Sequence, residues 1–295
     1  KRTPRSGELT TLRGMVTGTA VNGRMGACQA LGYLKDTASL PLLNDRLDKT
    51  IEPNSWVRAK AANAIREFPP ATASVHRDAL LSRFVANATD PNVIDWDDPI
   101  QISNGFLGFA LFGDDVYGWQ VNNGASLANY TINAPKNLLY PAVKAGLKQP
   151  DSYSRGGATQ FCYNHLTLAD VQALTLDILE VITTKSQADT MWSADPQITG
   201  LHLLAKYNCA EAVPMAVSML NVKKGWAWSF TDKLTASKNI LLGYGDSARW
   251  TLPYLEDNIE QMRAALVPWD FAAFEPVLLD AIAGVDAATT TPGVS

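Results

Sequence analysis

The sequence predicts an all-α fold of stacked helix pairs, and three observations carry that expectation. First, the stretch from Gly23 to Leu34 returns in altered form from Trp56 to Phe68. Arg24 aligns with Arg58, Ala27 with Ala61, Ala30 with Ala64, Leu31 with Ile65 and Leu34 with Phe68, each at a spacing of 34 residues. A period in that range marks helix pairs that each bury their apolar face against the next pair. Second, a proline recurs at the head of four apolar segments: Leu40-Pro41-Leu42-Leu43, Tyr140-Pro141-Ala142-Val143, Val213-Pro214-Met215-Ala216 and Leu252-Pro253-Tyr254-Leu255. Proline fits the first turn of a helix, where its missing N–H would have no intrahelical acceptor. Third, apolar residues recur at helical spacing along the chain, and no stretch reads as a convincing strand.

Taken in order, Glu8 to Val16 forms a short first helix and Asn22-Gly23 a turn. The second helix sets Met25, Cys28, Leu31 and Leu34 at three-residue steps, with Ala27 and Ala30 beside them, which is an amphipathic stripe whose small residues permit close approach. A third helix from about Ala38 to Lys49 aligns Leu40, Leu43 and Leu47, and the Trp56 repeat supplies the fourth. A fifth, Ser74 to Ala88, has a Ser cap and an apolar set of Val75, Ala79, Leu80, Phe84 and Val85.

The regular pattern then breaks. Asp90 to Pro99 is an acidic, proline-bounded loop, Phe106 to Phe112 resumes a buried helix, and Gly113 to Pro135 is a long loop rich in Asn, Gly and aromatics. Loops of that length are uncommon in compact folds and are often functional. Leu138 to Leu147 and Arg155 to Leu166 form the next pair. Thr167-Leu168-Ala169-Asp170, a capping box with Asp for the usual Glu, opens a helix carrying Val171, Leu174, Ile178, Val181 and Ile182. Helices follow at Pro196 to Tyr207 and Ala210 to Leu220. After an irregular connection from Asn221 to Thr231 come Lys233 to Tyr244, Ser247 to Arg263 and Phe271 to Ala283. The expectation is one solenoid of about seven helix pairs over residues 1–286, with long irregular loops, and a disordered Thr-rich tail at 287–295.

Composition bounds the function. With 46% hydrophobic and 18% charged residues the chain is globular rather than disordered. A net charge of -4 with scattered Lys and Arg argues against a general nucleic-acid surface. The longest apolar runs, such as Phe106 to Phe112, fall far short of the roughly 20 residues that span a bilayer, so a soluble chain with no membrane span is expected. The opening Lys1-Arg2-Thr3-Pro4-Arg5-Ser6-Gly7 has no apolar segment behind it and reads as a trimmed or internal start. Cys28, Cys162 and Cys209 are odd in number, lack CxxC spacing and sit in apolar helical patterns, so buried free thiols are expected rather than a disulfide framework.

The Val57-Arg58-Ala59-Lys60-Ala61-Ala62-Asn63-Ala64-Ile65 helix, together with short turns and proline-opened helices, resembles HEAT repeats of the armadillo-like class. The resemblance covers most of the chain and is closest over residues 1–70. It implies an α/α superhelix. It also implies a ladder in which an Arg near the start of the second helix pairs with an Asp of a neighbouring turn. Arg24 and Arg58 match the basic position. The acidic position departs from the pattern, because the turn before Arg58 reads Glu52-Pro53-Asn54-Ser55. A narrower resemblance, carried by the segments Arg2 to Glu8, Met191 to Asp195, Leu203 to Tyr207 and Leu241 to Gly245, is to the helical-repeat part of large uncharacterised bacterial proteins, some with a PDZ module. It implies an exported, periplasmic or extracellular, multidomain parent and supplies no catalytic residues.

No catalytic constellation stands out, and no cofactor is implied. His76, His165 and His202 lack zinc-like spacing; His202 reads as a core or inter-helix residue, and His76 as a solvated one. Cys162 and His165 share a helix face, but Phe161, Tyr163 and Leu166 around them favour packing over a reactive dyad. Asp90, Asp95, Asp97 and Asp98 lack the glycine and terminal Glu of a calcium loop. Asp114 and Asp115 are adjacent and point apart, which does not suit glycoside hydrolysis. Arg155-Gly156-Gly157 has no following Gly-Lys-Ser/Thr and reads as a helix start. Asn87 and Asn129 stand in glycosylation-type triplets, which matter only in a eukaryotic secretory route.

The aromatics are more informative. Trp96, Tyr117, Trp119, Tyr130, Trp192, Trp226 and Trp228 fall in the irregular connections rather than in helix stripes. Loop aromatics either anchor partners or fold back to cap the helices. The expectation is therefore a non-catalytic scaffold that binds a protein partner or a neighbouring domain of the same parent chain through these rings. Two alternatives stay open: a carbohydrate-binding or carbohydrate-active domain that uses loop aromatics and acids, and a structural assembly subunit.

Overall fold

A computed structural model describes residues 5–88, 107–108, 110–113, 127–149, 152–183, 196–220, 227–265 and 268–287. Among these the regular elements are all helices and no strand occurs. No helix among them is long and apolar enough to cross a membrane. The chain divides into two compact units, Lys1–Thr167 and Leu168–Ser295.

The first unit opens with four helices: α1 (Ser6–Val16), α2 (Val21–Leu34), α3 (Leu40–Asp45) and α4 (Ser55–Arg66). α1 packs on α2, α2 on α4, and α3 on α4. α2 and α4 lie side by side in the same direction. Arg24 in the first turn of α2 reaches Glu52 just before α4, while Gly32 near the end of α2 touches Ala64 near the end of α4. That approach requires glycine, since a Cβ at position 32 would stand 2.7 Å from the Ala64 Cα and 2.9 Å from its carbonyl oxygen. Most of the apolar stripe expected on α2 is buried, but Leu34 at its end is 38% exposed and Met25 is only partly covered. Ala27, Cys28 and Leu31 of α2 and Val57, Ala61 and Ile65 of α4 are all buried.

Local chemistry sets the ends of these helices. α2 closes at Lys35, whose φ of 53° is left-handed, with the Lys35 and Asp36 N–H groups donating to the Gly32 and Leu31 carbonyls. Asn54 caps α4 by accepting from the Val57 N–H at 3.2 Å.

The rest of this unit is centred on an aromatic chain. The helix Lys136–Leu147 packs against both Arg77–Ala88 and Ser152–His165. Between them Phe84, Phe112 and Phe161 meet edge to face, with centroids 5.5 and 5.2 Å apart. Each is buried, so each ring contributes roughly 1.5–3 kcal/mol through burial, and truncating the central Phe112 to Ala would cost about 3–5 kcal/mol.

In the second unit Leu168–Thr183 packs on Pro196–Lys206, which packs on Ala212–Leu220 and Ala227–Tyr244. The helix Pro268–Ala287 covers Ala227–Tyr244 and Leu252–Ala265. A buried polar bridge ties three of these helices together: Lys233 Nζ donates to Gln197 Oε1 (2.5 Å), and Gln197 Nε2 donates to the Ile182 carbonyl (2.7 Å).

Several expected elements differ. The stretch Ala38 to Lys49 is not one helix but a 3₁₀ turn, Thr37–Ser39, followed by the short α3. Ser74 does not cap a helix; its hydroxyl donates to the Ala71 carbonyl within a 3₁₀ turn, the helix starts at Arg77, and Val75 is left 80% exposed. The expected loop Gly113 to Pro135 contains regular structure among its described residues. A helical turn, Ala128–Thr131, is anchored by the Leu127 N–H on the Ala110 carbonyl (2.9 Å) and by Arg77 Nη1 on the Tyr130 carbonyl (3.0 Å).

Pro141 does not open its helix but is the sixth residue of Lys136–Leu147. Pro135 already holds the extended cap position (φ -53°, ψ 137°), and Leu139 is drawn into the core. The missing N–H therefore forfeits only the bond to Asn137 in the first turn. The helix expected from Lys233 begins at Ala227, because no Gly or Pro interrupts the chain from there to Leu242. Residues 288–295 of the expected tail lie outside the described residues.

Candidate functional site

Of the aromatics expected to bind a partner, Trp96, Tyr117, Trp119, Trp192 and Trp226 lie outside the described residues, as do Asp90, Asp95, Asp97, Asp98, Asp114 and Asp115. Trp228 is placed in the first turn of Ala227–Tyr244 rather than in a connection. Cys162 is fully buried, and the His165 ring lies tilted against Phe161 with centroids 5.0 Å apart, so this end of the helix is packed. His202 is exposed rather than in the core, since its helix turns Leu201, Leu203 and Leu204 inward. Arg155, Gly156 and Gly157 lie inside the helix Ser152–His165, not in a loop. Among the described residues no three His, Cys, Asp or Glu side chains gather as a metal site would require.

Arg24 and Arg58 are joined through Glu52. Arg24 makes a bidentate pair with Glu52, Nε to Oε2 at 2.7 Å and Nη2 to Oε1 at 2.9 Å, while its Nη1 donates to the Gly18 and Thr19 carbonyls. Arg58 Nη1 donates to the Glu52 and Pro53 carbonyls at 2.7 and 2.9 Å. Thus the turn before Arg58 supplies the acid, and Glu52, only 1% exposed, serves both arginines. The hydrogen bond to Glu52 raises the Arg24 pKa further above its ordinary value. Next to this pair, burial first and the Glu52 charge second push the Cys28 thiol up to about 12. Arg13 of α1 makes a parallel bidentate pair with Asp36 beyond α2, at 2.7 and 2.5 Å. Three of the four repeat prolines, Pro41, Pro214 and Pro253, stand in first turns as expected.

A different pair of aromatics is presented to solvent. After Ala227–Tyr244 the chain turns at Gly245 (φ 52°) and runs as a 3₁₀ helix, Gly245–Thr251, into Leu252–Ala265. Tyr244 anchors the turn by donating its hydroxyl to the Cys209 carbonyl at 2.8 Å. Burial, then the neighbouring Cys209 and Glu211, push its phenol up to about 12. Ala248, Thr251 and Leu255 face inward and are fully buried, and the Thr251 hydroxyl donates to the Ala248 carbonyl at 2.6 Å.

With those positions taken, Trp250 and Tyr254 must point out. They are 53% and 59% exposed, and their rings meet edge to face at 6.0 Å and 81°. Such a contact is worth roughly 0.5–1.5 kcal/mol and holds both rings in place. Pro253 and Asp257 continue the exposed row. In the sequence Tyr254 stands only as part of a proline motif, and nothing singles out Trp250. The available signal was that both fall off the Ala248, Thr251, Leu255 stripe.

No protein-family model matches the chain, and no curated protein matches it.

Proposed function

We propose that this chain is a HEAT-like helical-repeat scaffold that works as a protein-interaction module without catalysis of its own, within a larger exported bacterial protein. The observation that carries the interaction reading is the Trp250–Tyr254 pair: two large rings held against each other at the surface of a packed helical platform. Aromatic anchors of that kind dominate binding energy where partners dock. The HEAT-like reading draws on the Arg24 and Arg58 bonds and on the parallel packing of α2 and α4. Trp96, Tyr117, Trp119, Trp192, Trp226 and Trp228 belong to the proposal as further anchors.

Cross-linking and pull-down from the native source, with wild type beside Trp250→Ala/Tyr254→Ala, tests the reading. A defined partner should be recovered by wild type and lost by the variant, since truncating a true anchor costs on the order of 2 kcal/mol or more. Equal recovery by both would remove the pair as the site. Trp119→Ala and Trp226→Ala test the loop anchors in the same way. A carbohydrate platform is the weaker alternative, because rings at 81° to each other do not offer two coplanar faces to a sugar.

A further inference from the structure

We infer that the Trp250–Tyr254 surface docks a Lys/Arg-rich peptide segment; this rests on the interaction-module reading and names the chemistry of its partner. The argument begins with charge. From Gly245 to Ala287 the chain carries eight acidic residues against two basic ones, Arg249 and Arg263, whereas residues 1–244 carry 21 acidic against 23 basic. The acidic excess of the chain is therefore confined to the segment that presents the two rings.

Three of those acids, Asp246, Glu256 and Asp257, lie within seven residues of Trp250 and are exposed. The one nearby cation in this stretch, Arg249, is already matched by Asp286, with Nη2 3.8 Å from Oδ1. Asp246 and Glu256 make no ion pair among the described residues. A cationic side chain arriving here meets an exposed indole or phenol face, which attracts it through the ring quadrupole. The acidic excess of the segment adds a longer-range attraction, screened over a Debye length of roughly 8 Å. An arginine gains most, since its planar guanidinium can stack on a ring and fork onto a carboxylate at once.

Other occupants fit less well. A purely apolar surface would bury Asp246 and Glu256, which have no ion-pair partner among the described residues, at a desolvation cost that such a surface does not repay. An acidic peptide or a nucleic acid would be repelled. The two half-exposed rings stand on a segment rich in acids, which suits an extended basic chain.

The test uses the full chain and three labelled peptides of equal length, one rich in Lys and Arg, one rich in Asp and Glu, and one uncharged, with binding read by fluorescence anisotropy at low and high salt. The basic peptide should bind, and added salt should weaken it. Trp250→Ala and Tyr254→Ala should each weaken it by about tenfold or more. Asp246→Asn/Glu256→Gln should weaken it several-fold while circular dichroism shows unchanged helix content. Indifference of the basic peptide to Trp250→Ala would overturn the inference, as would an uncharged peptide that binds equally well. Glycan binding, or self-association lost in Trp250→Ala by sedimentation, would likewise assign the surface to another occupant. If a native partner is captured through Trp250 while the basic peptide is ignored, this inference falls and the interaction reading stands; if native capture is also insensitive to Trp250→Ala/Tyr254→Ala, both fall.

Discussion

Arg24 and Arg58, 34 residues apart, make the same two hydrogen bonds. Nη1 of each donates to the carbonyls six and five residues earlier: Gly18 and Thr19 for Arg24, Glu52 and Pro53 for Arg58. Each arginine thus staples the turn before its own helix, and Glu52 couples the two staples by giving its side chain to Arg24 and its main chain to Arg58. Glu52→Ala removes a buried bidentate acceptor and leaves Arg24 facing Arg46, whose Nη1 lies 4.0 Å from the Glu52 carboxylate. Breaking a largely buried pair in this way should cost about 3 kcal/mol, read as a lowered urea midpoint. In a double-mutant cycle, Arg24→Ala/Glu52→Ala should recover part of the loss, with a coupling on the order of 1 kcal/mol or more. Additive effects would mean that the pair contributes geometry and no net stability.

Two glycines of α2 should respond in opposite directions to the same change. Gly32→Ala puts a methyl against the Ala64 backbone, which cannot swing aside as a side chain could, and the helices must part. The strain of roughly 1–3 kcal/mol exceeds the gain of about 1 kcal/mol from replacing a helical glycine, so the variant should unfold at lower denaturant. Gly26 is exposed and has nothing within 4 Å of an added Cβ. Gly26→Ala should therefore stabilise by up to about 1 kcal/mol. Thermal melts of the two variants beside wild type check the ordering, and a neutral Gly32→Ala would contradict the close packing of α2 on α4.

Acid should loosen the first unit at Asp48. The Thr50 hydroxyl and N–H donate to Asp48 Oδ1 at 2.7 and 2.8 Å, and with the Arg83 guanidinium they hold this carboxyl below its ordinary value. A carboxylate with a depressed folded pKa contributes stability that is fully present above its unfolded value, near 4. That contribution is lost as pH falls through the folded value. Asp48→Asn should therefore destabilise the protein at neutral pH and flatten the fall in stability below about pH 4. Thr50→Val should act in the same direction and move the Asp48 carboxyl titration upward in NMR. An unchanged acid limb in both variants would show that Asp48 is not the responsible group.

The helical class was legible because burial follows periodicity. Cys28, Leu31, Val57, Ala61 and Ile65 all lie where their spacing puts them. What failed was local. Val75 belongs to the same apolar period as Leu80 and Phe84, yet a 3₁₀ turn ahead of Arg77 rotates it into solvent. Pro141 looks like a helix start from its dipeptide context, but Pro135 and the burial of Leu139 set the start earlier. The exposed pair Trp250–Tyr254 was hidden for a similar reason. Composition marks both rings as core candidates, and only the Gly245 turn and the inward set Ala248, Thr251 and Leu255 decide that they face outward. Pairings between turns, such as Glu52 with Arg24, depend on which turns become neighbours, and spacing along the chain does not state that.

The three cysteines should separate by reactivity. Cys28 and Cys162 are fully buried, and the Cys28 thiol, pushed up to about 12, holds almost no thiolate at pH 8. Cys209 is only partly covered, and its pKa is raised by burial first and then by the Glu211 carboxylate. Since the thiolate is the nucleophile, alkylation of the native protein at pH 8 should be slow and confined to Cys209, and all three should react once the chain is unfolded in urea. Peptide mapping after iodoacetamide gives the order directly. Glu211→Gln should speed labelling at Cys209 by relieving the like charge, whereas Glu52→Gln should leave Cys28 unlabelled, because there burial rather than charge is the larger cause. Rapid native labelling of Cys28 would show that the space between α2 and α4 opens on the timescale of the reaction.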